Sequence, residues 1–413
     1  MSSANEVELI LVPETAYGQA PDPATADAAT IRFTTETLSG TPTTTNSAEI
    51  RTDRNSGGMV ATGFEVGGPI TGELSADPAY QYMLESGMME HWTPPDAPID
   101  LSGAAFAKDG TNPQLATLAH PTNDIGAGLE VGDVILLAGF VDPDTANNGP
   151  AQVVSINTSG QLIQITTKRE AVSVTTIPAG VTATRPVWVD IGTETISATY
   201  SKAYTDVLHL ATDEEHSQRY SGGIVNGFEI SLTYGEIVGA TFNILANGYI
   251  QEHPSYAQAI EDGGGTVEAA GTAAPLNASV DLGMLTVDGL PTDYCIESLK
   301  ITLDNGNTPQ KCIGKLAPTR YNAGTAAITI DATIYLADSS YDAFMPRKLT
   351  LDPVGMMFAV GNQDGGYAFD LRAVQLAFPD PSVKGANDAT MIEAKGVAKV
   401  GPGGASAMRI YSW

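Results

Sequence analysis

Three segments of the chain alternate apolar and polar residues one by one. Phe228, Ile230, Leu232 and Tyr234 interleave with Glu229, Ser231 and Thr233. Leu299, Ile301 and Leu303 interleave with Ser298, Lys300 and Thr302, and Ile328, Ile330, Ala332, Ile334 and Leu336 with Thr329, Asp331, Thr333 and Tyr335. A period of two sends successive side chains to opposite faces, so these segments predict antiparallel strands with one apolar and one wet face. Ile196, Ala198 and Tyr200 repeat the pattern. A helical period is clear only twice. From Asp77 to about Glu90, Tyr80, Met83, Leu84, Gly87 and Met88 share a face, with Asp77 as cap and Pro78 in the first turn. Asp338 opens a shorter helix with Tyr341, Phe344 and Met345 as its stripe and Pro346 as its stop. The Tyr and Met residues of both stripes are assigned to the core.

The two helices open related strings. Ala76-Asp77-Pro78-Ala79-Tyr80-Gln81-Tyr82-Met83-Leu84 returns as Ala337-Asp338-Ser339-Ser340-Tyr341-Asp342-Ala343-Phe344-Met345, each after a strand-like run. Phe228-Glu229-Ile230-Ser231 after Gly222-Gly223 rhymes with Phe369-Asp370-Leu371-Arg372 after Gly365-Gly366. A strand-then-helix unit that occurs twice predicts a duplicated domain. Between the copies lies a stretch with small strands of its own, Val131 to Leu137, Gln152 to Ile156 and Leu162 to Thr166. Pro94-Pro95 and Pro98 precede it and Arg185-Pro186 ends it. The expected division is a first repeat over 1–100 and 190–260, an inserted outward-facing small β domain over 101–189, and a second repeat over 261–413. The Gly-rich run 261–274 is expected to link the repeats. The fold class is mainly β: two antiparallel β-sandwich or barrel repeats, each with a short flanking helix, plus the inserted small β-barrel.

Charge narrows the partners. Among 413 residues, 48 Asp and Glu outweigh 20 Lys and Arg, for a net charge of −28. Such a surface repels phosphates and disfavours stable nucleic-acid binding, although a polyanion can still slide past it. The acids are interspersed with apolar residues, which argues against a disordered tail. No apolar run approaches the roughly 20 residues that span a bilayer, so no membrane partner is expected. Met1 to Glu6 offers no basic start of an export signal. With two cysteines, Cys295 and Cys312, the chain has no disulfide framework, and both are expected as free thiols of a reducing cytoplasm.

Chemical motifs are sparse. Gly263-Gly264-Gly265 lacks the Lys of a phosphate loop. Asp142 and Asp144 begin like a calcium loop, but Ala146 and Val153 occupy ligand positions. The histidines at 91, 120, 209, 216 and 253 are scattered, and no Ser sits in a Gly-x-Ser-x-Gly elbow. No catalytic, cofactor or metal residue is singled out, and a non-enzyme is expected.

The most specific segment is Thr35 to Gly58, TETLSGTPTTTNSAEIRTDRNSGG, after Glu14-Thr15-Ala16-Tyr17-Gly18. This opening resembles the tail tube proteins of long-tailed, siphovirus-type bacteriophages. In them a Glu-Thr-x-Tyr-Gly start and a strand lead to a polar arm ending Asn-Ser-x-Glu-Ile-Arg-x-Asp-Arg. Here those positions are Asn46, Ser47, Glu49, Ile50, Arg51, Asp53 and Arg54. Gly132-Asp133, Gly139-Phe140 and Asn147-Asn148-Gly149 resemble the small insert of that family. So does the strand pair Phe228 to Tyr234 and Ile237 to Phe242. The resemblance implies packed antiparallel sheets whose subunits form rings, with rings stacked into a tube. The tape measure protein fills the lumen during assembly, and DNA passes later without specific binding. Tail terminator and distal tail proteins cap the ends. The implied location is the virion tail, assembled in the host cytoplasm. The arm, here Thr34 to Asn55, usually docks onto a neighbouring subunit or ring, so Glu49, Ile50, Arg51, Asp53 and Arg54 are expected to make inter-subunit contacts. A matching arm, 304–324, adds Lys311, Lys315 and Arg320. Two tube domains per chain imply homotrimeric rings of pseudo-sixfold symmetry, with the homohexamer as alternative. Rival readings are a capsid decoration or distal tail protein, a surface adhesin, and a polysaccharide-acting enzyme with two carboxylates.

Overall fold

A computed structural model of the chain describes residues 6–49, 52, 57–212, 214–288, 290–291, 295–362, 364–381 and 389–413. Five strands precede the first helix: β1 (Val7–Pro13), β2 (Asp27–Thr30), β3 (Thr35–Glu36), β4 (Ser39–Asn46) and β5 (Met59–Glu73), followed by α1 (Pro78–Met88). Seven short strands come next: β6 (Ile99–Asp100), β7 (Ala105–Lys108), β8 (Leu115–Ala119), β9 (Val134–Ala138), β10 (Gly149–Ile156), β11 (Leu162–Thr167) and β12 (Thr182–Thr184). Then follow β13 (Val187–Asp190), β14 (Ala198–Leu208), β15 (Glu215–Thr233), β16 (Gly239–Ala246), β17 (Gly248–Glu252), α2 (Tyr256–Gly263) and β18 (Thr266–Glu268). The remainder holds β19 (Leu282–Val287), β20 (Leu290–Pro291), β21 (Ile296–Asp304), β22 (Thr308–Gln310), β23 (Arg320–Asn322), β24 (Ala327–Tyr335), α3 (Asp338–Phe344), β25 (Val354–Asn362), β26 (Gly365–Ala377), β27 (Met391–Ala398) and β28 (Arg409–Ser412). The chain is mainly β, as its alternation predicts, and its large sheet curls into a half-barrel.

That sheet contains the same pairing order twice. One run is β1-β14-β15-β16-β5-β4, and the other is β19-β25-β26-β27-β24-β21. A further strand lies on each central member, β17 on β15 and β28 on β26. The registers agree as well. Ile224 is joined through Leu245 to Gly67, and Val374 through Ala398 to Ile328. Asp77 follows Gly67, and Asp338 follows Ile328, by the same ten residues. The runs meet where Gly227–Thr233 of β15 pairs with 298–304 of β21. One core extends across both runs, from Leu9, Tyr80 and Phe228 to Phe358, Phe369 and Ile410.

Several expectations change in detail. The glycine rhyme falls on β15 and β26, which hold the same place in the two runs, but its glycines sit at different points along them. Gly365 lies opposite Asn362 at its hairpin end, as Glu215 lies opposite Leu208, whereas Gly222 is further along β15. β14 does not alternate at first: residues 198–203 are buried on both faces, with Thr199 and Ser201 as covered as Tyr200. The segment 261–274 is not a free linker. Gly264 ends α2 in the left-handed region, and β18 adds to β2 as a parallel strand. In α3, Phe344 is buried but Tyr341 is 52% exposed, so the second stripe is narrower than predicted. The caps differ too. The Asp77 carboxylate accepts from the N–H groups of Ala79 (2.9 Å) and Gly271 (3.1 Å). Exposed Asp338 caps nothing, and the Ala337 N–H donates instead to Ser340 Oγ at 2.8 Å.

The seven short strands form a separate antiparallel sheet, β6-β12-β9-β10-β11-β8-β7, over its own core of Phe106, Leu118, Ile135, Val153, Ile163 and neighbours. A buried carboxylate ties it to the large sheet. Asp133 Oδ1 takes hydrogen bonds from Arg409 Nη1 (3.0 Å), Arg372 Nη2 (3.3 Å) and the Tyr411 hydroxyl (3.1 Å), and Oδ2 takes one from Arg185 Nη1 (2.9 Å). Arg409 also holds Asp190 through two 2.8 Å bonds and stacks 4.0 Å above the Trp188 ring. Arg372 reaches Asp370 at 3.0 Å. Burial pushes the Asp370 carboxyl up to about 6, against the pull of Arg372 and Arg409. Thus the cluster's acids are matched by cations on three separate segments.

Two stability outcomes follow. Asp133→Asn strands buried guanidinium charge and is expected to cost about 3–5 kcal/mol in denaturant unfolding. Asp77→Ala is expected to cost about 2 kcal/mol because it orphans two N–H groups, whereas Asp338→Ala costs less than about 0.5 kcal/mol. Equal losses at 77 and 338 would contradict the capping assignment.

Candidate assembly interface

The polar arm predicted over Thr34 to Asn55 is a β-ribbon as far as it is described. β4 pairs with β5 from Ser39↔Gly67 to Asn46↔Met59. Threonine-rich β4 offers little to bury, and residues 41–46 and 59–62 are exposed. A two-stranded ribbon with no covered face is marginal in water, so it needs outside contacts. Its base is fixed firmly. Phe64 packs on Tyr249 (ring centroids 5.7 Å), which packs on Tyr220 (5.6 Å). Lys202 Nζ reaches both the Glu36 carboxylate and the Leu38 carbonyl at 3.1 Å. Gly67 and Gly68 permit the crossing: a side chain at 67 would collide with the Ile244 carbonyl, and one at 68 with that of Thr37.

The second predicted arm, 304–324, is the β22–β23 hairpin. The structure brings the two arms together, which sequence spacing did not anticipate. The Phe64 N–H at the ribbon's base donates to the Leu316 carbonyl at 3.0 Å, and the β16–β17 junction also holds the hairpin, the Asn247 side chain donating to Thr319 O and the Tyr321 hydroxyl to Ala246 O, each at 3.2 Å. Lys311 and Lys315 line a cleft of about 700 Å³ beside Thr43, Thr62 and Glu65. Arg320 is exposed on β23. Glu49 is exposed, with its N–H on Ser47 Oγ at 3.3 Å. Ile50, Arg51, Asp53 and Arg54 lie outside the described residues.

Charge and apolarity coincide here. Elsewhere cations mostly have carboxylates: Lys108 has Glu170, Arg219 has Glu252, Lys300 has Glu229 and Arg347 has Asp288. Lys311, Lys315 and Arg320 make no ion pair among the described residues. Beside the lysines Ile313 and Leu316 are exposed by 58% or more, and so are Met59 and Val60 further out on the ribbon. In an acidic chain, unpaired cations beside bare apolar groups suit a partner surface that is itself acidic.

Two other sequence readings can be placed. Cys295 and Cys312 are both free and exposed. Three scattered histidines do meet: His209 stacks on His253 at 3.9 Å, and His216 stands 5.7 Å from each. His209 and His216 flank the β14–β15 turn and His253 follows β17, so nothing in their spacing announced it. No group of three ligand-type residues suited to a metal occurs among the described residues.

A family model of phage tail tube proteins matches residues 4–404. No curated protein gives a significant match. The chain therefore belongs to the phage tail tube family and is a β-rich structural component of a virion tail.

The double variant Lys311→Glu and Lys315→Glu is expected to raise the concentration needed for self-association at least tenfold at low salt, read by light scattering. Arg169→Glu, at an exposed cation on the separate sheet, should leave it unchanged. Added salt should weaken wild-type association through screening. Equal behaviour of both variants would remove the arm from assembly.

Proposed function

We propose that this chain is the major tail tube subunit of a long-tailed, siphovirus-type phage, and that three copies close each ring. The observation that carries the reading is the six-strand pairing order present twice in one chain, with matching register and helix position. On this reading the chain is a duplicated tube domain. Residues 1–100 with 190–260 form one copy and 261–413 the other, and 101–189 form an inserted, outward-facing β unit. A ring that single-domain subunits close with six copies is then closed by three, with pseudo-sixfold symmetry.

The sheet continues from one copy to the other through β15 and β21, and the same continuation between chains would complete the barrel and cover its edges. Stacked rings form a hollow conduit. The tape measure protein occupies it during assembly, terminator and distal tail proteins close its ends, and DNA passes through on ejection. A surface at −28 gives the departing polyanion little to grip. Assembly takes place in the host cytoplasm, and the role is structural rather than catalytic.

Electron microscopy of concentrated protein tests this. Hollow tubes with a regular ring repeat and threefold end-on averages are expected. A true sixfold average would refute the trimer, and compact particles at all concentrations would refute the tube.

A further inference from the structure

The chain exposes large apolar side chains at two opposite ends of the same strands. β5 pairs with β16 from Glu73↔Gly239 to Val66↔Ala246, and the arm runs on past the Ala246 end. The second hairpin sits at that end too, held by Asn247 and by the Ala246 carbonyl. At the other end, the turn after β15 exposes Tyr234 by 79% and Ile237 by 44%, and neighbouring Val280 by 79%. There Tyr234, Leu282, Leu285, Ile296 and Glu297 line a cleft of about 620 Å³.

We propose that this cleft is the receptor for the arm end of a second copy of the chain, so that copies stack head to tail. The proposal rests on the tube reading and adds its polarity and its receiving site. The arm end brings Ile313 and Leu316 with the unpaired Lys311 and Lys315. The cleft offers apolar walls and Glu297, and the adjoining turns carry Glu236 and Asp281. The one cation among its described lining residues, Lys168, is turned toward the Gly361 carbonyl at 3.5 Å. A knob at one end and a socket at the other form a heterologous contact, which propagates instead of closing on itself.

The two native thiols report on this contact. Cys312 lies on the arm cleft and Cys295 lines the receiving cleft. Within one chain they sit beyond opposite ends of β21, whose nine residues alone span about 30 Å. Stacking brings Cys312 of one copy to Cys295 of the next.

Tubes verified by microscopy are treated with a short-spaced bis-maleimide, in which each thiol adds across one maleimide double bond to form a thioether. The expected result is a ladder of linked chains on a denaturing gel. The variants Cys295→Ser and Cys312→Ser should each still form tubes and each lose the ladder. Tubes without a ladder, or a ladder surviving in either single variant, would overturn the proposal while leaving the tube reading intact. If the wild-type chain forms no tubes, the tube reading itself fails, and this proposal with it.

Discussion

β15 changes partners halfway, and the rest of the architecture depends on that exchange. Over its first half this 19-residue strand bonds to β14 and β17, and over its second half to β16 and β21. The first set of partners shapes one run of the sheet. The second set extends it into the other run, so the two never separate into independent domains with solvent between them. Asn305 reinforces the junction from the side: its amide reaches the Gly87 carbonyl at the end of α1 (2.8 Å) and the Val225 carbonyl (3.4 Å). Helix, first run and second run therefore converge on a few residues around 225–230 and 303–305.

The second constraint is charge. With 20 cations against 48 acids, where the cations go largely decides what is held. Three arginines converge on Asp133, although burying so many charges has a high desolvation cost that good geometry only offsets. The cluster has the character of a specificity device. It fixes how the seven-stranded sheet sits on the large one where apolar contact is modest, chiefly Val134 with Met284, Met357 and Tyr411. Three cations without a carboxylate among the described residues, Lys311, Lys315 and Arg320, lie together on the second arm, where attraction to another acidic copy is most useful.

Much of this was legible in the sequence, for identifiable reasons. The end of β15, β21 and β24 alternate because each has one covered and one wet face, and α1 announces itself through Asp77, Pro78 and its apolar stripe. What escaped was what depends on a third element. β14 loses its alternation because its outer face is covered as well. The run 261–274 looks like a linker until β2 supplies a strand for β18 to join. The contact between the arms, the convergence on Asp133 and the stacked histidines all join residues whose separation in sequence carries no signal.

The account's central claim is that one chain supplies two equivalent positions of a ring. The most direct test is mass per unit length of purified tubes, measured by scanning transmission electron microscopy and combined with the axial ring spacing. The account predicts three chains of 43.0 kDa in each ring repeat. Six chains per repeat would contradict it.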